Sequence, residues 1–586
     1  MLLAPQEAST GAVPWRGTAH LLDGAVLLLA GACVALMGYA ALTRELGFSP
    51  DSCVYVDVAQ HMRDGYGLHR GVLMAFQPWH FFSGAMHVPL TLYAPLYPLL
   101  AGIAAMAGLA PPYAALAVAA VFLAVFLLGL YVLARRMYGP PVAALALALL
   151  LHFAPLLFVS GYAWSETLGL ACIAWGFHFM ARLDGVTREA RLLAGTAGFL
   201  FGLAFATRYA LLPAALLAAA WLFLSNRHRM IRINAYMAGL MPPVAVVAAR
   251  NAAVLGHPFG PARGASTRPL LTNLHDLYRA TVAGYLPPGY LSPENQARLL
   301  FSVAVVLIGA IILRRRWGVV HDVLRQGARA LLPAWALGYL IFLLIYRTRF
   351  DIDIIGPRLV LPGLVFLIPI GTAVLVTVLS PRGMGVRGMA LVLIALAFLR
   401  EASEIRSTPP QRIEATIAAS ERLQWVCDNT TPDDLIIGDR IYDLPLFCGR
   451  RQGLCFFPDT DSKYHLRAGI LQRFLRDRVG KFDQCYLVIG RVTYDEPGFE
   501  KQWRALCGGF VTDLIYGRAE TWPGIREVVR LDDAYVFEVD VLEFVAPGQE
   551  PRYARLATPE TMLETWPPEF QVSEKGEHGW LSVSGS

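Results

Sequence analysis

The chain has 586 residues, is 56% hydrophobic and carries a formal net charge of +6, with a mean hydropathy of +0.47. That is far too apolar for a soluble protein of this length, and no basic patch interleaved with aromatics points to nucleic acid as a partner. The apolar residues fall in runs long enough to cross a hydrocarbon core of ~30 Å. They crowd into residues 1–400, whereas 401–586 read as an ordinary charged globular sequence. The expected architecture is mainly α: a polytopic membrane helical bundle over 1–400, followed by a small soluble α/β domain over 401–586.

In chain order, the first apolar stretch, 20–43, is too long for a signal peptide and lacks a small-residue cleavage site, so it reads as a retained anchor. Further spans are expected near 113–134, 140–159, 163–182, 192–207, 210–225, 234–250, 298–314, 328–346, 359–379 and 384–400, about eleven in all. Arg135/Arg136, Arg182/Arg188/Arg191, Arg227/Arg229/Arg232, Arg314/Arg315/Arg316 and Arg382/Arg387 fall in alternate connections. Under the positive-inside rule these face the cytoplasm. The N-terminus is then cytoplasmic, and the loop 44–112 and the C-terminal domain lie outside. The apolar stretch 92–109 would invert every later loop if it spanned. Its start, Tyr93-Ala94-Pro95-Leu96-Tyr97-Pro98, is proline-broken and aromatic, which predicts a juxtamembrane helix within the first outer loop.

With that topology the strongly polar interruptions collect on one side. Asp51, Tyr55 and Asp57 follow the first span, and Glu166 closes the short turn Gly161-Tyr162-Ala163-Trp164-Ser165-Glu166. Arg208-Tyr209 interrupts a long apolar run, Arg250-Asn251 ends another, and Asp353 and Arg358 share a short outer loop. Ionisable groups at membrane depth are costly and usually serve function. An interfacial carboxylate suits a general base acting on a hydroxyl, and sunken arginines suit a lipid-linked phosphate, because the guanidinium fork matches its oxygens. Blander readings stand beside these: Asp57 as a solvated boundary residue, Arg250 as a snorkelling side chain, Glu166 as a favourable helix start. His61, His69, His80 and His87 share the first loop, but their spacing matches no tight metal-ligand motif.

The pieces Asp51-x-x-x-Tyr55 with Ala59, Gly65-Tyr66-Gly67-Leu68, Ala94-Pro95-Leu96-Tyr97-Pro98, Ala134-Arg135-Arg136-x-Tyr138-Gly139, Ser165-Glu166, Thr207-Arg208-Tyr209, Arg250-Asn251 with Gly256, and Pro357-Arg358-Leu359-Val360-Leu361-Pro362 occur in this order. Together they resemble the C-type (GT-C) polytopic glycosyltransferases, in the bacterial branch near protein O-mannosyltransferases and the lipid A aminoarabinose transferase. The resemblance implies Asp51 as catalytic base and Arg208 and Arg358 as donor-phosphate ligands. Glu166 and Asp57 would position the acceptor or an assisting divalent cation. Tyr55, Tyr93, Tyr97, Tyr209, Arg250 and Asp353 are further candidate substrate contacts. It also implies a polyprenyl-phosphate-linked sugar donor, a hydroxyl acceptor on protein, lipid or glycan, inversion at the anomeric carbon, and no obligatory cofactor. The sequence departs from the pattern at Tyr93-Ala94-Pro95, where many relatives have Lys or His before Pro-Pro-Leu. The rival readings are a transporter or flippase of lipid-linked sugars and a ligase using polyprenyl diphosphate.

In the C-terminal part, Leu435–Gly438, Tyr486–Gly490 and Tyr535–Val539 read as strands, and 411–426 and 464–479 as helices. Five cysteines lie here: Cys427, Cys448, Cys455, Cys485 and Cys507. In an oxidising periplasm they can pair, Cys448 and Cys455 being nearest in sequence. A bacterial inner membrane is the expected location.

Overall fold

The computed structural model describes residues 16–43, 49–74, 86–183, 187–225, 229–255, 268–285, 327–350, 355–379, 383–407, 420–439, 441–449, 452–456, 468–490 and 519–546, with single residues 258, 266, 510, 514 and 517. The expected span 298–314 and the residues His80, Gly256, Asp353 and Cys507 lie outside the described residues.

Among the described residues five helices are long and apolar enough to cross a membrane: Leu21–Ala40, Pro111–Tyr138, Arg188–Thr207, Met230–Val254 and Leu331–Arg349. Two expected straight spans are helix pairs bent at a short break, Pro140–Leu150 with Ala154–Ser160 (63°) and Pro357–Leu364 with Leu367–Thr377 (52°). Proline accounts for both breaks, because it has no N–H to return to the carbonyl four residues earlier. Pro155 and Pro369 each remove that bond at the break. The chain is a multi-pass membrane protein.

The stretch expected to lie against the membrane rather than cross it is the helix Leu96–Met106, 11 residues, about 16 Å long and too short to span. The expected outer loop 251–297 also contains a helix the sequence reading did not place, Leu270–Tyr285. Helices Arg188–Thr207 and Arg229–Leu255 pack backbone to backbone. A Cβ at Gly239 would sit 1.9 Å from the Gly195 carbonyl oxygen, and one at Gly198 would sit 2.0 Å from that of Tyr236. Only small residues allow membrane helices so close an approach.

The C-terminal region contains a six-stranded sheet in the order β2-β5-β4-β6-β8-β7. Its members are β2 (Val72–Met74), β4 (Leu435–Asp439), β5 (Gln452–Phe456), β6 (Cys485–Gly490), β7 (Ile525–Arg530) and β8 (Ala534–Val539). The strands expected from sequence are thus β4, β6 and β8. The unexpected member is β2, which comes from the first outer loop and pairs in parallel with β5. The same loop folds on itself through β1 (His69–Arg70) and β3 (Val88–Pro89).

Alternate side chains of the strands face opposite layers. Ile437, Leu487 and Phe537 pack on Leu471, Phe474 and Leu475. On the other face Ile436, Val488 and Val536 pack with Leu423 and Val426, and also with Val54 and Val58 from the helix Pro50–Arg63. The first-loop helix is therefore part of the sheet's covering layer. Its other side, Val56 and Ala59, packs on Ala101 and Ala105 of the short helix Leu96–Met106 and on Ala114 and Ala115 of the membrane helix Pro111–Tyr138.

Candidate active site

Helix Pro50–Arg63 begins with a strong local signal. Ser49 caps it, its hydroxyl accepting from the Ser52 amide at 3.3 Å, and Pro50 occupies a first-turn position. Asp51 follows, at the positive end of the helix dipole, where a carboxylate is favoured. The Tyr93 hydroxyl donates to its Oδ1 at 2.6 Å, and Arg358 Nη1 lies 2.5 Å from its Oδ2. Burial pushes the Asp51 carboxyl up. The Arg358 charge, the Tyr93 bond and Arg208 more than offset this and hold it below the ordinary carboxylate range.

Arg358 opens the helix Pro357–Leu364 behind Gly356 and Pro357. Its Nε also pairs with Glu166 Oε1, and its guanidinium lies 3.9 Å from the centroid of the Trp164 ring. Arg208 reaches the same Glu166 oxygen through Nη1. It stands where helix Arg188–Thr207 ends, its own backbone extended (φ −151°) before the 3-10 turn Tyr209–Leu211. Two carboxylates and two guanidiniums from four separate elements thus form one chain, Asp51–Arg358–Glu166–Arg208.

Exposure sorts their roles. The side chains of Asp51, Arg358 and Arg208 are 22%, 18% and 20% exposed, and that of Glu166 only 1%. Asp51 and both cations are thus partly open, while Glu166 is sealed and pairs with both arginines.

Tyr55 joins the cluster's edge. Its hydroxyl lies 3.3 Å from Ser165 Oγ, and its ring meets those of Tyr93 and Tyr97 at 5.5 Å and 4.8 Å between centroids. Tyr97 itself turns away, its hydroxyl donating to the Ala115 carbonyl at 2.8 Å. Sequence reasoning gave no role to Trp164, Ser165 or Ser49. Trp164 stacks on Arg358 and donates from its indole to Ser49 Oγ at 2.5 Å. All three flank predicted residues, but nothing in the linear order says that the two segments meet.

Other predicted residues lie elsewhere. Asp57 is 1% exposed. Its Oδ2 accepts the Gly71 and Val72 amides at 3.1 Å each, and its Oδ1 lies 3.1 Å from His61 Nδ1. It is neither a solvated boundary residue nor a member of the Asp51 cluster; it fastens the helix to the strand that enters the sheet. Tyr209 accepts from Asn251 Nδ2 at 3.2 Å. Arg250 donates to the Leu90 carbonyl and to Asn251 Oδ1. These residues tie helix Arg229–Leu255 to the first loop. Beside Asp57, Arg70 is 1% exposed, and its three guanidinium nitrogens have no hydrogen-bond partner among the described residues.

Of the first-loop histidines, His61 Nε2 lies 3.1 Å from His87 Nδ1. Among the described residues no three of His, Cys, Asp and Glu are placed to hold a metal ion. The disulfide joins Cys427 to Cys448. Cys455, nearest to Cys448 in sequence, is buried within β5 and takes no part in this bond.

No family model matches the sequence, and no curated protein matches it. Among solved structures, the crystal structure of ArnT from Cupriavidus metallidurans in the apo state aligns with a TM-score of 0.52. The alignment covers 88% of this chain and 98% of that one, at 13% identity. The fold is of the GT-C type. Weaker likenesses are the archaeal oligosaccharyltransferase AglB from Archaeoglobus fulgidus (TM-score 0.49, 11% identity, 91% of this chain and 78% of that one) and the arabinofuranosyltransferase AftD from Mycobacteria (TM-score 0.45, 14% identity, 90% and 40%). At such identities the likeness is one of fold, and chemistry has to be argued from the residues. In this GT-C fold the Asp51 cluster joins the first-loop helix Pro50–Arg63 to the ends of membrane helices. Arg136, which bonds the Ala181 carbonyl, marks the far end of the Glu166–Met180 helix.

Proposed function

We propose that this chain transfers a sugar from a polyprenyl-phosphate-linked donor to a hydroxyl acceptor at the extracytoplasmic face of a bacterial inner membrane. The observation that carries this reading is the joining of one carboxylate and two guanidiniums, all partly open, at the ends of membrane helices. Arg208 and Arg358 receive the donor phosphate, which competes with Glu166 and Asp51 for the same N–H groups. As Arg358 turns to the phosphate its hold on Asp51 weakens, and the carboxylate becomes a stronger base.

The acceptor oxygen then attacks the anomeric carbon and the bond from that carbon to the phosphate oxygen breaks. The hydroxyl proton passes to Asp51, and polyprenyl phosphate leaves as an anion that needs little protonation. A single displacement inverts the anomeric centre. Glu166 keeps the two guanidiniums parallel and compensates their charge before the donor arrives. A divalent cation at Asp51 and Glu166 would have to share these carboxylates with the arginines.

The location rests on charge placement in the loops and on the Cys427–Cys448 bond, which suits an oxidising compartment. The membrane part is taken to end near residue 400, with β2 reaching across from the first loop. A transporter would place its binding groups near mid-membrane on broken, repeated helices, whereas this cluster sits at helix ends.

The test is a panel of synthetic polyprenyl monophosphate and diphosphate sugars given to purified protein in lipid. Turnover of a monophosphate donor, with an inverted product, supports the reading. Turnover of diphosphate donors alone would favour the ligase, and movement of intact donor across proteoliposomes without bond cleavage would favour the flippase.

A further inference from the structure

We infer that the C-terminal sheet is a working part of the site, positioning Asp51 through Gln60, Pro445 and the Cys427–Cys448 bond. The inference rests on the transferase reading only for its kinetic consequence; the coupling itself is geometric. The helix that begins with Asp51 is held from two sides. Val56 and Ala59 pack on the helices Leu96–Met106 and Pro111–Tyr138, while Val54 and Val58 pack on Ile436, Ile441, Leu444, Leu423 and Val426. On the second side the buried Gln60 donates from Nε2 to the Pro445 carbonyl at 2.5 Å. Asp57 grips the amides of Gly71 and Val72, and the strand they begin pairs with β5 from Val72↔Gly453 to Met74↔Cys455. Helix, loop and sheet therefore form a closed circuit.

Pro445 sits in the short helix Leu444–Phe447, and that helix is pinned at both ends. Cys448, directly after it, is bonded to Cys427 on helix Glu421–Asn429. Asp443, directly before it, pairs with Arg422 of the same helix at 2.7 Å. Opening the disulfide leaves one of the two pins. The phosphate-binding arginines come from elsewhere, Arg208 and Arg358 both standing at the ends of membrane helices. The base is thus set by the sheet and the anion clamp by the bundle. Gln60 and the disulfide are positioning groups, and their loss should lower kcat and spare donor binding.

The experiment uses the full chain in lipid. Dithiothreitol opens the disulfide, verified by thiol alkylation, and in parallel Gln60→Leu removes the bond to Pro445. The expected result for each is a kcat lowered by about tenfold to a hundredfold, donor affinity within about twofold of wild type, and recovery of the reduced protein on reoxidation. Unchanged kcat in both, or donor affinity falling as far as kcat, overturns the inference. Hydrogen exchange over 50–63 and 68–74 supplies a readout that needs no turnover. Faster exchange there on reduction, with residues 188–207 unchanged, supports the coupling even if every donor proves inert, an outcome that would count against the transferase reading alone. Unchanged exchange at 50–63 and 68–74 overturns it.

Discussion

Asp51 and Asp57 lie on one helix, six residues apart, about 1.7 turns, yet they do different work. Asp51 stands at the helix start, 22% exposed, with one oxygen on Arg358 and the other on Tyr93. Asp57 is sealed in; its Oδ2 is taken by the Gly71 and Val72 amides, and His61 Nδ1 bonds the main-chain carbonyl of the same residue. The first carboxylate faces groups that a substrate can displace, and the second faces backbone that cannot leave without unfolding the loop. Charge and proximity to the membrane do not make a residue catalytic; what its oxygens bond to decides.

Substitution should separate the two ends most sharply at Asp51. Asp51→Asn removes the base and should lower turnover by about 10²- to 10⁴-fold, with donor affinity held within a few-fold in a binding assay. Arg358→Lys keeps the charge but loses the fork that spans Asp51 and Glu166. Donor KM should rise by roughly tenfold or more, because a lysine cannot make the paired contacts; an unchanged KM would remove Arg358 from the phosphate clamp. Asp57→Ala leaves the Gly71 and Val72 amides without their acceptor, and should cost about 1–3 kcal/mol of stability. In thermal denaturation it should be the less stable variant beside Asp51→Asn, and the more active one.

The pH dependence sharpens the same contrast. In the free protein the Arg358 charge and the Tyr93 bond hold Asp51 below the ordinary carboxylate range, so kcat/KM should fall only at a pH below that at which an ordinary carboxylate titrates. Once donor phosphate draws Arg358 away, Asp51 titrates higher, and the acid limb of kcat should lie at higher pH than that of kcat/KM. Tyr93→Phe removes a bond to the ionised form and should move the kcat/KM limb to higher pH. The smallest expected effect is at Arg70. Replacing this buried cation by methionine should change thermal stability by less than Asp57→Ala does, since no hydrogen bond to another described residue is lost.

The membrane bundle and the Asp51 cluster were legible in the sequence for a physical reason. Each of Asp51, Glu166, Arg208 and Arg358 interrupts or borders an apolar run, and hydropathy makes such residues stand out. The short helix Leu96–Met106 was legible too, from its prolines. The strand β2 was not, because three apolar residues in a loop become a strand only when β5 offers an edge. The bends at 151–153 and 365–366 were not placed, because hydropathy over those stretches matches a straight span and only Pro155 and Pro369 beside the breaks carry the signal. Cys448 was matched to its neighbour in sequence, while folding brought it to Cys427 across a helix-to-helix contact. Tyr209 and Arg250, named as candidate substrate contacts through the resemblance, bond to Asn251 and to the Leu90 carbonyl, partners that their sequence positions do not announce.

The most direct measurement is single-turnover transfer from one accepted polyprenyl-phosphate sugar by wild type, Asp51→Asn and Asp57→Asn, each checked for bound donor. The account predicts that Asp51→Asn binds donor and fails to transfer the sugar, while Asp57→Asn transfers it at a rate within about tenfold of wild type. Transfer by Asp51→Asn at the wild-type rate, or loss confined to Asp57→Asn, would contradict it.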